Sequence, residues 1–180
     1  QKLNKIISLN NLGILFDRLV INQFIRDLKM TSLKTKFIIP VSLASLNSKK
    51  EINYLLKRLD ILNKEQIIFK LDFETYLELN QEIKDYLKDK QIKLCFENIL
   101  KDLDFNNLNY ICKAKYIILN NYEYNHNYYY LLKEEFTNKN IQIIYNHKQE
   151  KLIKSDLLQK AISYIIGDYA GKISDLKKFN

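Results

Sequence analysis

The sequence predicts an α/β fold made of successive βα units around a parallel sheet. Three observations carry this. Short β-branched, apolar runs alternate with amphipathic stretches from about residue 36 to the end of the 180-residue chain. Each run is apolar nearly throughout between polar flanks, as a strand covered on both faces must be. The runs recur every two to three dozen residues, roughly the spacing that a crossover helix between parallel neighbours requires.

Taken in order, an opening helix is expected over residues 12–28, where apolar positions fall three and four apart. Strands are expected over 36–41, 66–71, 91–96, 115–119 and 141–145, with a less distinct one over 163–166. Between the first two, Ile52, Leu55, Leu56, Leu59 and Leu62 form a helical stripe behind Asn47-Ser48, which supplies an N-cap. Residues 72–90 and 148–162 repeat that design. The tyrosine-rich segment 121–130 reads as aromatic packing at a helix start, with a protein-contact loop as the alternative.

Composition narrows the function. With 47% apolar residues the chain can bury one substantial core, so 1–180 is read as a single domain. A start at Gln1 suggests a segment of a longer protein. No apolar run approaches the roughly 20 residues of a spanning helix, and no signal-peptide pattern is present, so a cytoplasmic location without membrane contact is expected. Cys95 and Cys112 lie far apart with no CxxC spacing, which favours neither zinc nor a disulfide framework. The net charge of +8 would raise nucleic acid as a partner, but the lysines are scattered at the spacings of solvated helix faces, and no nucleic-acid-binding motif accompanies them.

Several strand ends, read together and in order, form a recognisable pattern. The segment 37–46 (FIIPVSLASL) is similar to a strand ending in Asn-Leu-Ser, 67–74 (IIFKLDFE) to one ending in Glu-Leu-Thr-Glu, and 87–98 (LKDKQIKLCFEN) to the approach to Asp-Asp-Phe-Gly. Residues 114–120 (AKYIILN) are similar to a strand carrying Lys-x-Asp, 140–146 (NIQIIYN) to the Glu-Gly-Val-Glu strand, and 163–172 (SYIIGDYAGK) to Gln-Gly-Tyr-x-Phe-Gly-Lys. In this collinear order the chain resembles the EAL domain family, the cyclic-di-GMP phosphodiesterases. The resemblance implies a TIM-type (β/α) barrel with about six of its eight parallel strands, the first strands being absent from this segment.

Chemistry in such barrels sits at the carboxyl ends of the strands, and two-metal phosphodiester hydrolysis needs several carboxylates to hold the ions. Matched to the family pattern, its metal-binding Asn becomes Pro40 and its Glu becomes Lys70, while its Asp-Asp pair becomes Cys95 and Phe96. Its catalytic Lys becomes Ile118, the Asp two residues on Asn120, the next Glu Asn146, and the Gln Ile166. Lys70 reverses a charge; at about 4 Å and an effective dielectric near 20 that is worth roughly 4 kcal/mol per unit charge.

A shifted site using Asp72 or Glu97 would require strands that end elsewhere; Asp72 reads instead as an N-cap or first-turn acid and Glu97 as a loop residue. Cys95 has no base beside it in the sequence and reads as a buried apolar thiol, and His126 and His147 read as surface groups. No metal and no cofactor are expected.

The expectation is therefore a degenerate EAL-like domain without enzymatic activity, regulating a protein partner or an upstream signalling domain. The alternative is a receptor that binds cyclic-di-GMP or another nucleotide without cleaving it, through Ser42, Lys70, Asn120 and Asn146. An active phosphodiesterase is the third reading. An incomplete set of barrel strands also leaves edges to cover, so a homodimer or intramolecular docking is expected.

Overall fold

A computed structural model describes residues 12–28, 36–99, 108–120, 127–147 and 162–167. They fall into two compact units, with Asp72–Glu74 and the residues from Cys95 onward in the second and the rest in the first. Within each unit neighbouring strands follow chain order. That order is what consecutive right-handed βα units produce.

In the first unit, helix α1 (Gly13–Leu28) precedes strand β1 (Phe37–Pro40), and two helices follow, α2 (Leu43–Leu46) and α3 (Lys49–Arg58). Strand β2 (Ile67–Asp72) pairs with β1 in parallel, Phe37 opposite Ile67 and Pro40 opposite Lys70. Phe24 of α1 meets Phe37 edge to face, with ring centroids 5.0 Å apart. Ile21, Ile39, Leu46, Ile52, Leu55, Leu59 and Phe69 are buried around this packing. The Ser48 side chain accepts from the Glu51 amide and caps α3, as the sequence predicts.

Glu51 is itself buried, and it accepts a forked pair of hydrogen bonds from Arg18 at 2.7 and 3.0 Å. The Arg18 guanidinium lies over the Tyr54 ring, 4.6 Å from its centroid. A planar, delocalised cation can fork to a carboxylate and stack on a ring together, which fastens α1 to α3.

The stretch 72–90 is two helices rather than the single one expected. Helix α4 (Phe73–Glu78) stops at Leu79, and α5 (Gln81–Asp89) restarts behind Asn80, whose side chain accepts from the Ile83 amide at 2.9 Å. Asparagine competes with helical hydrogen bonding in this way, and burial of Leu79 and Ile83 fixes the break.

The second unit holds strands β3 (Lys93–Glu97, from Cys95 on), β4 (Tyr116–Asn120), β5 (Gln142–His147) and β6 (Ile162–Gly167), with helices α6 (Leu108–Ile111) and α7 (Asn127–Asn138) between them. The pairings are parallel: Phe96 opposite Ile117, Ile117 opposite Ile143, and Tyr145 opposite Ile165. Cys95, Phe96, Ile117, Leu119, Phe136, Ile143 and Tyr145 are buried. Phe73, also in this unit, packs on Phe96 with centroids 5.5 Å apart.

Five of the six expected strands end one or two residues later than the sequence predicts; in β3, β4 and β5 the polar residues Glu97, Asn120 and Asn146 near the carboxyl ends still pair. β1 is the exception, closing at Pro40 where the expected strand ran on to Val41. The helix expected over 148–162 lies outside the described residues up to 161, and Ile162 opens β6. In the tyrosine-rich segment, 121–126 lie outside them and α7 begins at Asn127.

Candidate functional site

The carboxyl ends of the strands are where a βα fold displays its variable chemistry. In the first unit, Pro40 closes β1, exposed and in register with Lys70. Proline lacks an amide donor and is tolerated at such a strand margin. Lys70 is half-buried, and its carbonyl accepts from the Val41 amide at 3.0 Å.

Ser42 is committed to the fold. Its amide and its hydroxyl both donate to the carboxylate of Asp17 on α1, at 2.8 and 2.7 Å, while Oγ accepts from the Ser45 amide as the cap of α2. Asp17 is only 3% exposed. Gly13, one helical turn earlier, lies so close that a Cβ built on it would sit 2.7 Å from Ser42 Oγ, so only glycine admits this approach.

In the second unit the strand ends carry a row of side chains joined one to the next. Asn146 at the end of β5 donates through Nδ2 to Asn120 Oδ1 at 3.0 Å, and Asn120 at the end of β4 donates through Nδ2 to Asn98 Oδ1 at 3.1 Å. Asn98, just past β3, donates through Nδ2 to the carboxylate of Asp72. Asn120 and Asn146 are in register with each other, and Ile166 of β6 is in register with Asn146. All four members of the row are half-buried. Asn98 has φ 57°, a left-handed backbone that asparagine tolerates better than most residues.

Of these four, Asn98 is not among the sequence candidates, and Asp72 is the acid that the sequence reading sets aside as an N-cap or first-turn residue. Asp72 is the last residue of β2, directly before α4. Asn98 escapes the sequence reading because the expected strand stops at Phe96, two residues before it. Cys95 and Phe96 do not stand at a strand end: both are 0% exposed inside β3, which runs on to Glu97. Glu97 is thus a strand residue rather than a loop residue, and Glu97-Asn98 is the pair at the end of β3. The signal available was the polarity of that pair after an apolar run.

Ile118 is buried within β4, two residues before Asn120. His147 closes β5, and His126 lies outside the described residues. Cys95 is a buried free thiol, as expected of an apolar cysteine.

Divalent ions of the kind the resemblance implies need several convergent oxygen or nitrogen ligands, carboxylates foremost. Among the described residues no three His, Cys, Asp or Glu side chains come together to hold an ion. The row at the strand ends offers one carboxylate and three neutral amides, and these are engaged with one another. The described residues do not fit a two-metal centre.

No protein-family model matches the chain, and no curated protein matches it. Solved structures do. The FimX EAL domain from Pseudomonas aeruginosa bound to c-di-GMP is similar with a TM-score of 0.71 at 19% identity, over 92% of this chain and 72% of that one. The FimX EAL domain of Xanthomonas citri in complex with c-di-GMP gives 0.72 at 13% identity, over 92% and 72%. Vibrio cholerae LapD, an S helix-GGDEF-EAL protein in its apo form, gives 0.72 at 16%, over 92% of this chain and 44% of that one. At these identities the likeness establishes the fold: the chain has the α/β fold of EAL domains, a TIM-type (β/α) arrangement of parallel strands and crossover helices. No helix among the described residues is long and apolar enough to cross a membrane.

Proposed function

We propose that the 180 residues are an EAL-like domain of a longer chain that has given up phosphodiester hydrolysis and acts through protein contacts as a regulatory scaffold in cyclic-di-GMP signalling. The observation that carries this is the row Asp72, Asn98, Asn120, Asn146: where the resemblance calls for ion-holding acids at the ends of β4 and β5, amides bind one another. Pro40 and Lys70, in register on β1 and β2, support the same reading, since neither supplies an acidic oxygen and Lys70 adds a charge that repels cations. A protein partner or an upstream signalling domain would receive the output, in the cytoplasm.

A second reading, a receptor that holds cyclic-di-GMP without cleaving it, is favoured by the two FimX domains, both solved with that nucleotide. Lys70, Asn120 and Asn146 are half-buried and polar, so they retain some surface to offer a ligand. Ser42 is a weaker candidate because Asp17 and Ser45 already occupy its hydroxyl.

Calorimetric titration of the protein with cyclic-di-GMP, in magnesium and again in EDTA, followed by recovery of the nucleotide, separates these readings. No heat in either buffer and intact nucleotide support the scaffold. Binding that survives EDTA without cleavage supports the receptor. Cleavage overturns both.

A further inference from the structure

We propose that the three amides form a one-way relay whose direction is set by Asp72, and that this relay stands in place of divalent cations at the strand ends of the second unit. The proposal rests on geometry and is independent of which functional reading holds. A carboxylate only accepts hydrogen bonds, whereas a side-chain amide both donates and accepts. A row of carboxylates therefore repels itself unless a cation sits among them, while a row of amides can satisfy itself with no ion.

Here Asp72 accepts from Asn98, which obliges Asn98 to turn its oxygen toward Asn120, which in turn obliges Asn120 to turn its oxygen toward Asn146. All three bonds point the same way, toward the single negative charge. Dipoles aligned head to tail in this manner polarise one another and strengthen the row.

A parity rule follows. With an acceptor-only group at one end, every junction is satisfied. With an acceptor-only group at both ends, one junction must set oxygen against oxygen, however the amides between them flip. Asn146→Asp creates that conflict, although residues 72 and 146 meet through Asn98 and Asn120 rather than directly. Asp72→Asn added to it removes the conflict, because the whole row can reverse and point toward residue 146.

The test is a double-mutant cycle read as thermal unfolding midpoints in EDTA and in millimolar magnesium. The wild-type midpoint is expected to be the same in both buffers. Asn146→Asp is expected to lower it by about 4–8 °C in EDTA, with part of the loss recovered by magnesium. Asp72→Asn, which gives up one charge-assisted bond, is expected to lower it by about 2–4 °C. The double variant is expected to melt above Asn146→Asp alone.

Additive losses in the double variant, an Asn146→Asp midpoint equal to wild type, or a wild-type midpoint that falls in EDTA would each overturn the relay. If Asn146→Asp does not fold, a folded double variant supports the relay and an unfolded one overturns it. No nucleotide enters these measurements, so the relay and the loss of hydrolysis fail separately.

Discussion

Replacing Asp17 should destabilise the first unit more than any single loss of a surface charge. The carboxylate is 3% exposed and takes two donors from Ser42, an amide at 2.8 Å and a hydroxyl at 2.7 Å. Hydrogen bonds to a charged acceptor contribute about 1.5–3 kcal/mol each, and a buried donor left without a partner costs about 1–3 kcal/mol. Asp17→Ala strands the Ser42 amide and leaves the hydroxyl to turn toward Ser45, while relieving the desolvation of one carboxylate. The net loss is about 3–4 kcal/mol. Asp17→Asn can turn its one carbonyl oxygen to both Ser42 donors, which share Asp17 Oδ2, but gives up the charge on that acceptor, for a loss of about 2 kcal/mol.

At about 2–4 °C per kcal/mol for a chain of this size, the midpoints should fall by about 6–16 °C and 4–8 °C respectively. Thermal unfolding followed by circular dichroism gives the midpoints, and urea unfolding, with the denaturant slope checked for constancy, gives the free-energy losses. A midpoint for Asp17→Ala within about 2 °C of wild type would refute the claim that this carboxylate holds the turn between β1 and α2. Ser42→Ala belongs in the same experiment: its loss should appear in stability and be less than additive with Asp17→Ala, since both remove the same bond.

Two further outcomes are expected. Leu15 and Leu19 of α1 are 56% and 61% exposed, and with Leu12 and Phe16 they form a stripe at helical spacing; Leu15→Ser with Leu19→Ser should lower the light-scattering mass and raise solubility at an unchanged midpoint, and a wild-type protein that is monomeric at all concentrations would remove the basis for this. The Glu65 carboxyl is held below its ordinary range, first by the hydrogen bond from Lys93 Nζ and then by that ammonium's charge. Its contribution is therefore present above the usual glutamate value of about 4.3 and lost as the pH falls through the lower folded value. The midpoint difference between wild type and Lys93→Met should be small at pH 6, because the Glu65 carboxylate is largely exposed, and should shrink as the pH falls through its lowered value; a difference that grows on acidification contradicts the assignment.

Much of the fold was legible because strands covered on both faces must be apolar on both faces. IIF at 67–69 and YIIL at 116–119 admit no amphipathic helix stripe, and the alternation with helical stretches then fixes the parallel order. The strand ends were not legible for the same reason. Asp72, Asn120 and Asn146 are polar, so the rule that finds a buried strand assigns them to the flank. Their pairing is with each other's side chains across neighbouring strands, a separation of 22 to 26 residues that no local pattern encodes.

Asp17 was hidden differently: it sits on the buried face of an amphipathic helix, where only the partner amide of Ser42, 25 residues away, explains an acid. The break at Asn80 was legible in principle, since asparagine before Gln81-Glu82 is a helix start, but the stripe from Phe73 through Leu87 continues across it.

The relay at the strand ends also ties this protein to the chemical age of a sample. Side-chain amides of asparagine hydrolyse slowly to carboxylates, and the three that form the row are among the thermolabile groups of the chain. Deamidation at Asn146, in the part of the product that is aspartate, makes the same species as Asn146→Asp, a second acceptor at the far end of a row that already has one. A preparation stored warm should therefore accumulate a fraction that melts early and carries the mass change of deamidation at that site, and peptide mapping of the early-melting fraction would show whether it is enriched there. Old and fresh protein would then differ in stability without any change in sequence as encoded.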